Sequence, residues 1–249
     1  MKFVSTSLIV HLIYINMRIS LSCLLLFSVF SGFSQENLGS ESVPEKKVDS
    51  LYREDQFYFS LTYNILRDKP SSLSQSKFSS GFSVGFLRDM PLNKYRTVAI
   101  ASGVGFTYNN FNQNLAIATV GDKQTYNYID AETIYNKNKF SQLSIDVPLE
   151  FRWRTSTYAS HKFWRIYGGF KLSYLLYNNS IFDGSGGKVI VTGNNDFNKI
   201  QYGTYISAGY NTINLYAYYG LNSLFKSAQV NGEPVNVKAL NIGIIFYVL

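Results

Sequence analysis

Residues 56–66 read Gln56-Phe57-Tyr58-Phe59-Ser60-Leu61-Thr62-Tyr63-Asn64-Ile65-Leu66, and their parity decides the fold. Successive side chains of an extended chain point to opposite sides. Phe57, Phe59, Leu61, Tyr63 and Ile65 therefore share one face, and Ser60, Thr62 and Asn64 share the other. One face suits hydrocarbon and the other suits a polar lumen. The same period of two returns at about 78–87, 97–109, 140–154, 163–177, 200–210, 213–224 and 238–249. Repeated alternation of this length predicts an all-β protein, an eight-stranded antiparallel up-and-down transmembrane β-barrel.

Composition agrees with that expectation. Apolar residues make up 46% of the 249 residues, yet the mean hydropathy is −0.05, so apolar and polar residues are interleaved rather than grouped in helix-length blocks. The chain holds 20 Tyr and 19 Phe against two Trp, and Tyr suits a membrane interface. At the N-terminus Arg18 precedes the apolar run Ile19 to Phe30 and the small residues Ser31 to Ser34, which reads as a signal peptide over 1–34. Met17 offers an alternative start, and a single anchoring helix is the competing reading of this run. Cys23 sits inside the run, so the mature chain holds no cysteine and no disulfide. Residues 35–55 are polar and aperiodic and read as a periplasmic lead, followed by the barrel over 56–249. The formal charge of +7 falls to +5 once Lys2 and Arg18 leave, too mild for a nucleic-acid reader.

The connections carry independent information. Connections two, four and six, Arg88–Arg96, Thr155–Lys162 and Asn211–Thr212, are each shorter than all of Asp68–Lys77, Asn110–Lys139, Asn178–Lys199 and Phe225–Val237. Outer-membrane barrels have short periplasmic turns and long outer loops, so both termini are expected in the periplasm. Trp153 and Trp164 fall on the apolar face beside a short turn, where an interfacial girdle belongs; a cross-strand aromatic pair on a soluble hairpin is the alternative. The last strand carries Asn241, Gly243, Phe246 and Val248 and resembles the C-terminal signal read by the barrel-assembly machinery.

An eight-stranded barrel has an interior just wide enough for side chains to fill. Inward positions set glycines (Gly81, Gly85, Gly103, Gly105, Gly169, Gly203, Gly209, Gly243) beside tyrosines (Tyr58, Tyr167, Tyr205, Tyr216, Tyr218), small against large. Asp146, Glu150, Arg152, Arg154, Arg165 and Lys171 also face inward, and charges at that depth need partners. A hairpin symmetric about its turn sets Trp153 opposite Trp164 and Asp146 opposite Lys171, and a slip of two sets Glu150 opposite Arg165. Either register makes an ionic plug, with a proton or ion path as the alternative.

Catalysis has little to draw on. Of the two histidines, His11 leaves with the leader and His161 lies in a short turn. No cluster with metal-ligand spacing survives maturation, and no cofactor is expected. Asp183-Gly184-Ser185-Gly186-Gly187 lacks the Lys-Ser/Thr ending and helix of a phosphate cradle and reads as a flexible surface loop. Basic residues gather toward the short turns: Arg88, Lys94, Arg96 and Lys162, with Arg152, Arg154 and Arg165 nearby. Such a rim suits phospholipid headgroups or an acidic periplasmic partner.

Gln142-Leu-Ser-Ile-Asp-Val-Pro-Leu-Glu-Phe151 resembles the Leu-Glu-Ile-Pro-Leu strand of PorT-like outer-membrane barrels, with Asp146 and Val147 before Pro148. Arg53-Glu-Asp-Gln-Phe-Tyr58 and Gly85-Phe-Leu-Arg-Asp-Met-Pro91 extend that resemblance over nearly all the mature chain. It implies an eight-stranded outer-membrane barrel and, for the founding member, a link to type IX secretion and gliding. The function expected is a non-enzymatic structural or accessory component of an envelope complex serving secretion. The alternatives are a surface-loop binding module or adhesin, using Asn110–Lys139 and Asn178–Lys199, and a small pore. Expected partners are outer-membrane lipid and lipopolysaccharide, the barrel-assembly machinery, and a periplasmic or secretion-complex protein.

Overall fold

A computed structural model describes residues 54–75, 77–121, 123–130, 132–155 and 163–248. The expected leader, the lead before Glu54, His161, Lys162 and Leu249 lie outside the described residues.

Among the described residues thirteen strands form, and eight of them close a barrel. The staves are β1 (Gln56–Arg67), β2 (Ser80–Pro91), β3 (Val98–Asn112), β6 (Tyr135–Arg154), β7 (Trp164–Gly184), β9 (Ile200–Tyr210), β10 (Ile213–Gly220) and β13 (Lys238–Val248). Each pairs antiparallel with its neighbour, β6 meets β7, and β1 meets β13 to close the ring. The remaining strands build on the long connections: β4 (Leu115–Val120) and β5 (Lys123–Tyr128) form a hairpin, β8 (Gly187–Thr192) pairs with the outer part of β7, and β11 (Gln229–Val230) pairs with β12 (Glu233–Pro234).

Side-chain parity follows the sequence. In β1 the burial alternates residue by residue, with Phe57, Phe59, Leu61 and Tyr63 exposed and Tyr58, Ser60, Thr62 and Asn64 turned inward. The apolar exterior from Phe57 to Ile65 covers about 26 Å of strand at ~3.3 Å per residue, or roughly 20 Å of membrane at a tilt near 40°. Tyr58 lies over two inward glycines: a Cβ on Gly85 would stand 2.6 Å from its ring, and one on Gly105 would run into its hydroxyl. The large ring fits there because the facing strands carry no side chain.

Three differences from the sequence reading have physical causes. The β6–β7 register sets Trp153 opposite Ile166 and Arg154 opposite Arg165. That is two residues further along β7 than a symmetric hairpin gives, and in the opposite sense from the slip that would set Glu150 against Arg165. Thr155 N donates to Trp164 O (3.0 Å), which carries the same register one step beyond the strand ends. A shift of two keeps every side chain on its own face, so the inward set is unchanged. Second, β2 runs on to Pro91, and Arg88 therefore lies on an outward strand position rather than in a turn. Third, β6 and β7 extend well past the apolar band, because polar residues outside a membrane pair as readily as apolar ones inside it. A bulge marks the passage: Leu143 pairs Tyr177 while Ser144 pairs Leu175, and Leu176 and Tyr177 both face outward.

The long connections pack together. Phe111, Phe140, Phe197 and Phe225 come from four separate segments and are all buried. Phe197 stacks on Phe225 with centroids 4.4 Å apart, Phe111 stacks on Phe140 at 5.0 Å, and Tyr126 of β5 meets the Phe225 edge at 5.9 Å. Leu115 and Ile117 of β4 and Val191 of β8 join the same cluster. The result is an apolar cap at the long-loop end, continuous with the buried rings of the lumen.

Candidate functional site

Among the described residues, the lumen at the short-turn end gathers most of the buried charge. Arg154 sits on β6 two residues after Arg152, so both project inward. Arg154 grips Asp89 of β2 with two parallel bonds, Nη1 to Oδ1 at 2.8 Å and Nη2 to Oδ2 at 2.7 Å. Its Nε donates to Arg96 O at 2.8 Å. Arg152 donates from Nη1 to the same Asp89 Oδ1 at 3.0 Å and to Glu54 O at 3.2 Å, and from Nε to Glu150 Oε2 at 2.8 Å. Glu150 accepts two phenols at Oε1, from Tyr205 at 3.0 Å and Tyr247 at 3.3 Å. Charge-assisted, bidentate contacts of this kind are the strong ones.

Arg165 enters from β7 and packs on rings, its guanidinium carbon 4.5 Å from the Phe163 centroid, 5.5 Å from Tyr247 and 5.7 Å from Tyr167. It makes no ion pair with Glu150, the partner that one sequence register offered. One turn of the barrel further up, Lys171 Nζ lies 3.4 Å from Asp146 Oδ2 and 4.5 Å from the Tyr218 centroid. These two are diagonal neighbours, since Asp146 pairs with Ser173 and Lys171 with Pro148. Asp146 also accepts from Thr107 and from Ser144 (3.2 Å). Above them Asn64 and Asn241 both donate to Asn109 Oδ1, at 3.0 and 3.3 Å.

Among the described residues, the buried charges are Glu54, Asp89, Asp146 and Glu150 against Arg152, Arg154, Arg165 and Lys171. Four acids thus face four bases. Six of these eight are inward charges the sequence placed in the lumen, and they alone carry a surplus of two positive charges. Asp89 and Glu54 complete the balance. Asp89 was legible: Leu87 faces inward, so the residue two further along does too, provided the strand continues. Between Tyr58, Glu150, Lys171, Tyr205 and Tyr216 lies a cavity of about 20 Å³, room for roughly one water. This interior binds charge to charge. Among the described residues it brings no three metal-ligating side chains together.

The described residues of the basic rim divide by burial. Arg152, Arg154 and Arg165 are buried in the plug, Arg96 is half-buried, and Arg88 and Lys94 remain exposed. Trp153 and Trp164 point outward beside the short turn, and Trp164 tilts against Tyr210 at 5.4 Å. They do not face one another across the hairpin. Asn241 and Gly243 turn inward on β13, while Phe246 and Val248 turn outward. The glycine-rich stretch 183–187 is the tip of the β7–β8 hairpin, where Gly187 takes φ 109°. It is an ordered two-residue turn, not a free loop, because β-branched residues follow it and pair back on β7.

Outside the membrane strands, Lys238 donates to Asp68 (2.9 Å) and holds its carboxyl below the usual range. Burial in the cap raises the Tyr126 phenol, which receives a hydrogen bond from Asn194 and donates one to Asp196 Oδ2 at 2.7 Å. Burial also raises Tyr128.

Residues 28–226 match the family described as outer membrane protein beta-barrel domain. The chain belongs to this family. As an outer-membrane β-barrel protein it is integral to that membrane, and its staves are the strands just described. None of the curated proteins compared with it matches. Among solved structures it is similar to Ail, the attachment invasion locus protein of Yersinia pestis, in complex with the heparin analogue sucrose octasulfate: 10% identity, 80% of this chain and 100% of that one, TM-score 0.38. Ail in a second structure gives 11% identity over the same shares and TM-score 0.37. A triple mutant of Rhodopseudomonas blastica porin gives 8% identity, 79% of this chain, 100% of that one and TM-score 0.21.

Proposed function

We propose that this outer-membrane barrel is a sealed, non-enzymatic scaffold, a structural or accessory component of an envelope complex. The observation that carries the reading is the lumen. Among the described residues the eight buried charges balance, Asp89 ties both arginines of β6, and the cavity between Glu150 and Lys171 is about 20 Å³. A conducting pore needs a continuous polar path, and a catalyst needs an accessible reactive group. The packed charge favours neither in the lumen, and on this reading the work falls to the two ends and the lipid face. The short turns lie in the periplasm and the cap lies outside, in keeping with the loop-length rule. Lipid and lipopolysaccharide surround the band, and β13 is the strand offered to the assembly machinery. A role in protein secretion is what the PorT-like resemblance supports.

Planar-bilayer recordings of the purified barrel test the seal: the expected trace is silent, and large steady openings would overturn it. Mild-detergent purification of the tagged native protein tests the complex. Stable co-purifying envelope components are expected, and recovery of the barrel alone would remove the scaffold role.

A further inference from the structure

Within the membrane the closed barrel leaves no strand edge, but beyond it the sheet reopens. β7 pairs with β9 as far as Tyr174 and continues to Gly184, where its partner over Asn179–Gly184 is β8. Among the described residues β8 pairs with β7 alone, so its far edge is open. The phase of that edge follows from the turn. A two-residue loop makes Gly184 and Gly187 a hydrogen-bonded closing pair, and the bond from Gly193 N to Asn178 O (3.1 Å) keeps the same phase at the other end. Lys188, Ile190 and Thr192 therefore direct their backbone N–H and C=O groups away from β7.

Among the described residues no strand covers this short edge, and Lys188 is its one charge. Lys188-Val189-Ile190-Val191-Thr192 is β-branched after its single charge and has neither proline nor bulge. Val191 is buried against the cap, whereas Val189 is 39% and Ile190 53% exposed.

We propose that β8 is a docking edge for an extended segment of a different polypeptide, which adds as a further strand through the backbone of Lys188, Ile190 and Thr192. Side-chain complementarity sets its chemistry: a carboxylate against Lys188 and a branched apolar residue against Ile190. A second copy of the chain does not fit. Copies in one membrane stand the same way up, so a twofold axis between them follows the membrane normal. Antiparallel pairing of two β8 edges needs an axis perpendicular to the strands, and barrel strands tilt only about 40° from the normal. The proposal names the attachment edge of the scaffold and rests on that reading. Conductance and co-purification test the scaffold, whereas peptide binding to the purified barrel tests the edge alone.

The probe is a fluorescent seven-residue peptide alternating threonine and valine with one glutamate. The folded barrel in detergent binds it saturably, with a Kd below about 100 μM. Ile190→Pro deletes an N–H that points away from β7, so the hairpin survives and affinity falls at least about tenfold. Lys188→Glu weakens the same peptide and restores binding to one carrying lysine in place of glutamate, an arm that does not depend on the proline variant folding. The same peptide N-methylated along one edge fails to compete. Absence of saturable binding to the wild type, or equal binding to Ile190→Pro and Lys188→Glu, overturns the proposal. So does a dimer in sedimentation that Ile190→Pro abolishes, since the edge would then serve a second copy.

Discussion

Asp89→Asn is the sharpest perturbation of the plug. Asp89 is fully enclosed and receives three guanidinium bonds of 2.7–3.0 Å from Arg152 and Arg154. The amide keeps one acceptor but turns an NH₂ group toward Arg154, whose two nitrogens lose their bidentate partner. Arg152 retains Glu150, so the uncompensated charge is that of Arg154, and four bases face three acids. Breaking a buried ion pair from one side costs about 3–5 kcal/mol, roughly two to four decades in the folded-to-unfolded ratio. The assay is urea unfolding of the refolded barrel in detergent, read by tryptophan fluorescence and by the heat-modifiable gel shift. Asp89→Asn/Arg154→Met restores the charge balance, and the double variant is expected to recover about 2 kcal/mol relative to additivity. A single variant within about 0.5 kcal/mol of wild type, a range typical of surface substitutions, would refute the reasoning.

Phe225→Ala empties the centre of the cap, where Phe225 meets Phe197, Phe140 and Tyr126. A loss of about 3–5 kcal/mol is expected, seen as rapid protease nicking of the long connections while the gel shift of the barrel persists. A Cβ on Gly243 would run into Leu61 O of β1, so Gly243→Ala should lower the yield of closed barrel in refolding, at an overpacking cost of about 1–3 kcal/mol. Tyr126 ionises at higher pH in the folded cap than in the unfolded chain because it is buried and donates to Asp196. Its contribution is therefore complete below the ordinary tyrosine value of 10.0 and declines as pH rises from there toward the raised folded value. Protease resistance of the cap measured across that range should fall in wild type and flatten in Tyr126→Phe.

The membrane strands were legible because lipid on one side and a packed lumen on the other impose a strict period of two. Phe57 through Ile65 could be assigned to faces without any partner in view. Pairing was harder. Trp153 and Arg165 keep their faces under any even shift, so alternation alone cannot distinguish Trp153 opposite Trp164 from Trp153 opposite Ile166. Asp89 escaped because a strand was ended at its last large apolar residue, although inward parity continued from Leu87. The cap was illegible for a different reason. Phe111, Phe140, Phe197 and Phe225 meet from four segments far apart in the chain, and no local period announces such a meeting.

The match of four enclosed acids to four enclosed bases has an electrical consequence. A potential across a membrane does work on a protein in proportion to the net charge it displaces. The buried charges of the described residues sum to none. Opening the plug as a unit would transfer no charge along the field, and the pairs lie too deep for bulk salt to screen. The barrel should therefore hold the same interior as a cell passes between dilute and saline surroundings, and any signal that alters it has to arrive by contact rather than by voltage.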